Sequence, residues 1–296
     1  MQHKVSIIVP TYNCGNFILH ALESIFNQTY KDFEIIVVDD GSTDNTKEIL
    51  LPLIIDGSIK YFSQENAGPA AARNRGIKES SGLCIAFLDA DDLWVKEKLE
   101  KSLIFMDQNN FDWICTSLLK INEYGESKIK RITDDSWVLD PKTNEVKQLK
   151  NGLFFFSSIP LQVQTVVVRK KCFERAGIFD ESFLIGEDTD LWLRFEEYGL
   201  RCGYLDEPLT IYRYNENSIT KAKKVDGLHE YAKLGKKHAV ILGLGKPLIK
   251  KTYAEFLWKI ADDYLDERYF LKALRYILRS LFYNFGNITR IIKKVI

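Results

Sequence analysis

Asp89, Asp91 and Asp92 crowd three carboxylates into four positions, directly after the apolar run at residues 83–88. A greasy strand that delivers charge at its carboxyl end is where open α/β sheets place their ligand sites. Clustered hard oxygens suit a divalent cation such as Mg²⁺ or Mn²⁺, and such a cation in turn suits a phosphate. The same stretch also reads as a solvated acidic turn, with Asp92 as the N-cap of a helix opening at Leu93-Trp94-Val95. Two further acidic groups share the pattern. Asp39 and Asp40 end the apolar run at residues 34–38, and Glu187, Asp188 and Asp190 stand before Leu191, Leu193 and Phe195. The second of these is a helix start on its own terms, since acidic residues favour a helix amino terminus. Tyr12 could stack on a base and Asp40 could accept from a base N–H. Arg73 could meet a phosphate or hold an acidic loop in place.

The elements that must carry these groups follow a regular rhythm. Residues 5–9 form a buried strand bounded by Pro10, followed by the polar turn Thr11-Tyr12-Asn13 and a helix with Ile18, Leu22, Ile25 and Phe26 at helical spacing. A strand at 34–38 leads through Gly41-Ser42-Thr43-Asp44 into a helix at 45–50, which Pro52 is expected to close. A shorter strand at 59–62, a helix opening at Gly68-Pro69 and the strand at 83–88 complete the first hundred residues. Strand and helix in alternation predict a mostly parallel sheet wrapped by helices. No GxGxxG follows the first strand and no GxxxxGK[ST] occurs, so dinucleotide dehydrogenase and P-loop ATPase readings lose support. Further on, residues 93–106 are amphipathic, 111–117 and 162–168 read as strands, and 123–150 read as polar excursions over the surface. Phe173 to Ala176 reads as a short helix capped by Gly177. From Lys221 the pattern is helical, with helices expected at 226–242, 248–265 and 268–283.

Composition narrows the class. The chain has 296 residues, 46% of them hydrophobic and 28% charged, which is ample material for one large domain and an appendage. Lys+Arg and Asp+Glu both number 41, so no overall field draws nucleic acid to it. The five cysteines are scattered without a CxxC pair, as in a reduced, cytoplasmic protein. Lys4 leads directly into a strand where a signal peptide would carry its apolar region. The greasiest run, 153–168, is interrupted by Ser157, Ser158, Pro160, Gln162 and Gln164 and does not read as a membrane span.

Five ordered motifs carry a resemblance. They are Val5-Ser6-Ile7-Ile8-Val9-Pro10-Thr11-Tyr12-Asn13, Val37-Val38-Asp39-Asp40-Gly41-Ser42-Thr43-Asp44, Gln64-Glu65-Asn66-Ala67-Gly68, Ala72-Arg73-Asn74 and Phe87-Leu88-Asp89-Ala90-Asp91-Asp92. In order and spacing they resemble the family 2 glycosyltransferases, an inverting group with the GT-A fold. The resemblance implies that Pro10, Thr11 and Tyr12 line the nucleobase of a UDP-sugar and that Asp40 reads its edge. It implies that Asp89 approaches the ribose and that Asp91 holds the Mn²⁺ or Mg²⁺ bridging the diphosphate. The cluster at residues 186–190, preceded by Gly177-Ile178-Phe179-Asp180-Glu181, is similar to the family's Glu-Asp motif. By that likeness Asp188 is the base that takes the acceptor proton, with Glu187 shaping the site or meeting the acceptor. An Asp near its reference pKa would be ionised at neutral pH without special tuning. Residues 212–220 resemble the segment that closes many such domains, with Asn215 where relatives carry histidine, and Arg213 and Ser218 would contact the diphosphate.

The resulting expectation is a catalytic domain at 1–220, its nucleotide-sugar half at about 1–115 and its acceptor half at about 116–220, followed by a helical extension at 221–296. The implied activity is transfer of a hexose-type sugar to a saccharide or lipid-linked saccharide in bacterial surface polysaccharide assembly. The alternatives are a polyprenyl-phosphate glycosyltransferase and a non-catalytic sugar-nucleotide-binding scaffold. One helical unit cannot bury its own face, so the extension should dock or self-associate, ahead of peripheral contact with the inner face of the plasma membrane through Arg275, Arg279, Arg290, Lys293 and Lys294.

Overall fold

The computed structural model describes residues 4–122, 124–130, 137–139, 146–149 and 161–213, and beyond them 230, 233, 234, 236–238, 254, 257, 258 and 270–283. Seven consecutive buried residues make β1 (Val5–Thr11) a strand covered on both faces, and β2 (Phe33–Asp39) lies parallel to it with Thr11 opposite Asp39. Between them runs α1 (Ile18–Phe26), which buries Ile18, Ala21, Leu22 and Ile25 against the sheet. The next elements are α2 (Thr46–Ile55), β3 (Lys60–Ser63), α3 (Pro69–Glu79) and β4 (Cys84–Phe87). They complete a parallel half-sheet in the order β3-β2-β1-β4.

The second half is mixed. It contains β5 (Leu93–Trp94), α4 (Lys98–Gln108), β6 (Trp113–Ile121) and β7 (Ser127–Lys130). A separate two-stranded pair is formed by β8 (Trp137–Leu139) and β9 (Val146–Leu149). A 3₁₀ turn at Val163–Thr165 leads into β10 (Val166–Arg169), and α5 (Lys171–Ala176), α6 (Glu187–Glu197) and β11 (Cys202–Tyr212) follow. The main sheet continues β4-β10-β6-β11-β5, with β7 on β6. Strand β10 is antiparallel to both neighbours, and β11 is parallel to β6. The chain divides into two compact units, the first carrying this sheet and the second carrying α7 (Phe270–Tyr283). Among the described residues no helix is long and apolar enough to cross a membrane.

Two expectations are corrected. Pro52 lies inside α2 and does not close it. The carbonyl of Glu48, which loses its i+4 donor to proline, is on an exposed stretch where water can replace that donor. No helix opens at Asp92, because residues 93–94 pair as β5 with β11 and tertiary acceptors take the amides that its carboxylate would have capped. Trp94 N–H donates to Ser24 Oγ (3.1 Å) and Val95 N–H to the Leu209 carbonyl (3.0 Å), so the helix starts only at Lys98. The stretch at 123–150, expected to run over the surface, is exposed at residues 124–129 and carries short strands. Its turn is closed by Asn122, whose Oδ1 accepts from the Tyr124 (3.0 Å) and Glu126 (2.9 Å) amides.

Two contacts set the position of α3, the helix that carries Arg73. Gly76 lies so close to β1 that an added Cβ would be 2.3 Å from Ile8 Cγ2, which only glycine permits. At the opposite end of the strands, Glu34 gathers Ser6 Oγ (2.6 Å), Lys60 Nζ (2.7 Å), Ser81 N (2.7 Å) and Ser81 Oγ (2.8 Å) around one carboxylate. Burial alone would raise its pKa, yet these donors hold it far below the ordinary 4.5. A depressed folded-state pKa means stability that is complete above about pH 4.5 and lost as pH falls. Glu34→Gln should therefore lower the Tm by about 5 °C at neutral pH. The gap to wild type should close on acidification below pH 4.5, as followed by thermal unfolding across pH.

Candidate active site

The ends of β1 and β2 are laced into one platform. Asp40 N–H donates to the Thr11 carbonyl (2.9 Å), and Asn13 Oδ1 accepts from the Thr43 amide (2.8 Å). Pro10 and Thr11 are buried there, while the Tyr12 ring is 47% exposed and available to stack. Asp40 is 4% exposed, and its carboxylate accepts from Gln64 Nε2 (2.8 Å), Ala67 N–H (2.9 Å) and Gly68 N–H (2.8 Å). Those bonds fold the 64–68 loop onto the strand end. A carboxylate has about four acceptor sites, which leaves room for one further donor.

Arg73 joins the two acidic clusters. Its guanidinium is 6% exposed and donates through Nη2 to Asp89 (2.8 Å) and through Nη1 to Glu187 (2.6 Å), while lying 5.7 Å from the Phe179 ring centroid. Of the two roles open to it in the sequence, the structure supplies the second: it holds acidic segments in place. Asn74 extends the tie. Its amide bonds the backbone carbonyl (3.0 Å) and N–H (2.9 Å) of Phe179 and Glu181 Oε1 (2.8 Å), fixing the segment that precedes α6. Arg73 and Asn74, adjacent in one alanine-rich helix, thus bring Asp89, Glu187 and Glu181 to a single element.

Asp188 follows Glu187 in the first turn of α6, half-buried, with its Oδ1 accepting from the Thr189 amide (2.6 Å) and hydroxyl (3.2 Å). Burial, and after it the charge of Glu187, push its carboxyl up to about 7, against the opposing pull of Arg73 and the Thr189 bonds. The expected ordinary pKa is thus corrected, because the low solvation of this turn was invisible in the motif. Asp190 has a structural partner: it takes Arg194 Nε (2.9 Å), and Arg194 in turn donates to the carbonyls of Ala176 and Ile178.

Around the 89–92 turn the field is negative. Asp92 is buried and is pushed well above the usual range by burial and by the charges of Asp91 and Asp89. Burial raises Tyr212 to about 12 and Cys14 to about 11, with Asp92 and Asp91 leading the contributing charges respectively. Asp92 accepts from Gln164 Nε2 (2.8 Å) and from the Arg213 amide (2.9 Å), and Arg213 Nε donates to the Asp91 carbonyl (2.5 Å). Asp92 therefore anchors tertiary structure and caps no helix. Ser218 and Asn215 lie outside the described residues.

A divalent cation suits this donor set. Among the described residues no group of three or more His, Cys, Asp or Glu could hold a metal by itself. Asp91 offers hard oxygens beside the charges of its neighbours, which matches a cation that takes only one or two protein carboxylates.

Comparison with known proteins agrees with this architecture. The Glycosyl transferase family 2 model matches residues 6–165. An uncharacterized glycosyltransferase of Rickettsia conorii is 39% identical over 73% of this chain, which spans only 34% of that relative. The Escherichia coli enzyme named UDP-Glc:alpha-D-GlcNAc-diphosphoundecaprenol beta-1,3-glucosyltransferase WfgD is 33% identical, over 75% of this chain and 81% of its own length. The crystal structure of S. aureus TarS residues 1–349 in complex with UDP-GlcNAc superimposes with a TM-score of 0.69. It is 23% identical and the match covers 94% of this chain and 79% of that one, a likeness of fold. With a matching model over residues 6–165 and relatives above 30% identity, the chain belongs to glycosyl transferase family 2.

Proposed function

We propose that this chain is an inverting, metal-dependent glycosyltransferase that moves a hexose-type sugar from a UDP-sugar to an acceptor hydroxyl. The observation that carries the reading is the Arg73 bridge, which ties Asp89 on the donor side to Glu187, next to Asp188, in one ion-paired unit. Pro10, Thr11 and Tyr12 would hold the uracil, with Asp40 offering its remaining acceptor site to the base edge. Asp89 would meet the ribose, and Arg213 and Ser218 the diphosphate. Asp91 would hold Mn²⁺ or Mg²⁺, which when bound supplies Lewis-acid stabilisation of the charge left on the departing diphosphate.

Asp188 acts as the base. It takes the acceptor proton as that oxygen attacks the anomeric carbon, the bond to the diphosphate breaks on the opposite face, and the configuration inverts. A single displacement needs no protein nucleophile. A base titrating near neutrality matches the pH of its task. The names of the relatives support the substrate class: WfgD is named for UDP-Glc and a diphosphoundecaprenol-linked acceptor, and TarS was crystallised with UDP-GlcNAc. A saccharide or lipid-linked saccharide acceptor, in bacterial surface polysaccharide assembly at the cytoplasmic face of the membrane, follows from that support. Residues 221–296 would form the helical extension. On α7, exposed Leu274 and Leu278 beside exposed Arg275 and Arg279 favour a surface contact, with a second copy or with anionic lipid.

The test is release of UDP from a panel of nucleotide-sugars with Mn²⁺. Activity should vanish with chelator and return with added metal; release indifferent to chelator would remove the metal from the mechanism. Asp188→Asn should lower kcat by about 10²–10⁴ while leaving UDP affinity within a few-fold, and full activity in that variant would overturn the base.

The rate should climb with pH through about 7, as the Asp188 carboxyl loses its proton. Glu187→Gln removes a charge that raises this pKa and leaves Arg73 freer to lower it. The rising limb should then move to lower pH, as read from kcat/KM profiles.

A further inference from the structure

Residues 161–165 form a strap whose carbonyls are taken from several directions. Trp192 Nε1 on α6 donates to the Leu161 carbonyl (3.1 Å) and Lys98 Nζ to that of Thr165 (3.0 Å). The Gln164 carbonyl accepts from both Trp94 Nε1 (3.1 Å) and Thr210 Oγ1 (3.1 Å). With its backbone so held, Gln164 has its side chain buried and directed at Asp92. Its Nε2 donates to Asp92 Oδ2 (2.8 Å) and also to Gln162 Oε1 (3.0 Å).

Asp92 is 1% exposed, and its second oxygen accepts the backbone N–H of Arg213 (2.9 Å). Arg213 is the first residue after β11. There its Nε reaches the Asp91 carbonyl and its guanidinium lies 5.4 Å from the Phe17 ring centroid. The bonds therefore run in series from the strap through Gln164 and Asp92 to Arg213. Burying a carboxylate is expensive, and apolar packing at the same place would cost less. What Asp92 does that an apolar residue could not is accept two donors from separate elements at fixed directions.

We propose that Gln164 is a positioning residue for the donor diphosphate: it holds Asp92, and Asp92 seats Arg213 beside the 89–91 turn. This rests on the sugar-transfer reading above and adds to it a residue that need not touch substrate. Removing the side-chain amide leaves every carbonyl tie of the strap in place, so the effect of Gln164 can be separated from that of the strap.

The experiment measures UDP affinity by calorimetry, KM for donor and acceptor, and Tm in wild type, Gln164→Leu, Arg213→Ala, the double variant and Asp92→Asn. Gln164→Leu should weaken UDP binding and raise donor KM by about tenfold with acceptor KM within twofold. The double variant should bind UDP no more weakly than Arg213→Ala alone, within twofold, since both remove one unit. Asp92→Asn keeps an acceptor for the Arg213 amide, and a flipped Gln164 amide can accept from the new donor, so its affinity should stay within about threefold of wild type. UDP affinity unchanged in folded Gln164→Leu, with only Tm lowered, would reduce Gln164 to a structural role and overturn the proposal. So would losses that multiply in the double variant. Should Gln164→Leu not fold, Gln164→Asn withdraws the same donor by one methylene and is judged by the same readouts. A wild-type chain that binds no UDP would sink the sugar-transfer reading and this proposal with it; wild-type binding that Gln164→Leu leaves intact sinks this proposal alone.

Discussion

One buried guanidinium sets the geometry of the site. Arg73 is almost without solvent contact, which pulls its pKa down, and is held between Asp89 and Glu187, whose charges outweigh that and raise it. Two carboxylates against one cation form an interdependent group, since removing the guanidinium leaves both acids, Glu187 of them buried, without a counter-charge. The helix that carries Arg73 approaches β1 as closely as Gly76 allows, so the guanidinium is placed by the sheet itself. From that point the positions of the 89–92 turn and of the first turn of α6 follow.

The electrostatic balance has a second consequence. With Arg73 committed to two carboxylates, the remaining acids face a negative and poorly solvated surrounding, and Asp188, Asp92, Cys14 and Tyr212 all respond with raised pKa values. A diphosphate would be repelled from such a site unless a cation came with it. That is the physical reason why the proposed reaction includes a metal, and why few protein ligands suffice for it. The same low solvation turns Asp188 into a carboxyl that changes charge near neutrality.

Much of the architecture was legible from pattern. Short apolar runs at β1, β2 and β4, β-branched in the first two, read as strands covered on both faces, and their polar ends converge once the strands lie parallel. Local rules failed where tertiary partners outbid them. Pro52 was read as a helix stop, but an exposed carbonyl tolerates the missing donor. Asp92 was read as a cap, but Ser24 and Leu209 take the amides of the helix it would have capped.

The order of the motifs, the buried strands and the residue types at their ends were determined by the chain alone, because hydrophobic period and turn chemistry act over a few residues. Which carboxylate meets which partner was decided only by tertiary structure. Arg73 and Glu187 are 114 positions apart, and Asp92 and Gln164 are 72 apart. No local periodicity relates residues at such separations. The raised pKa of Asp188 belongs to the same class, since the burial that raises it and the distant arginine that opposes the rise exist only after folding.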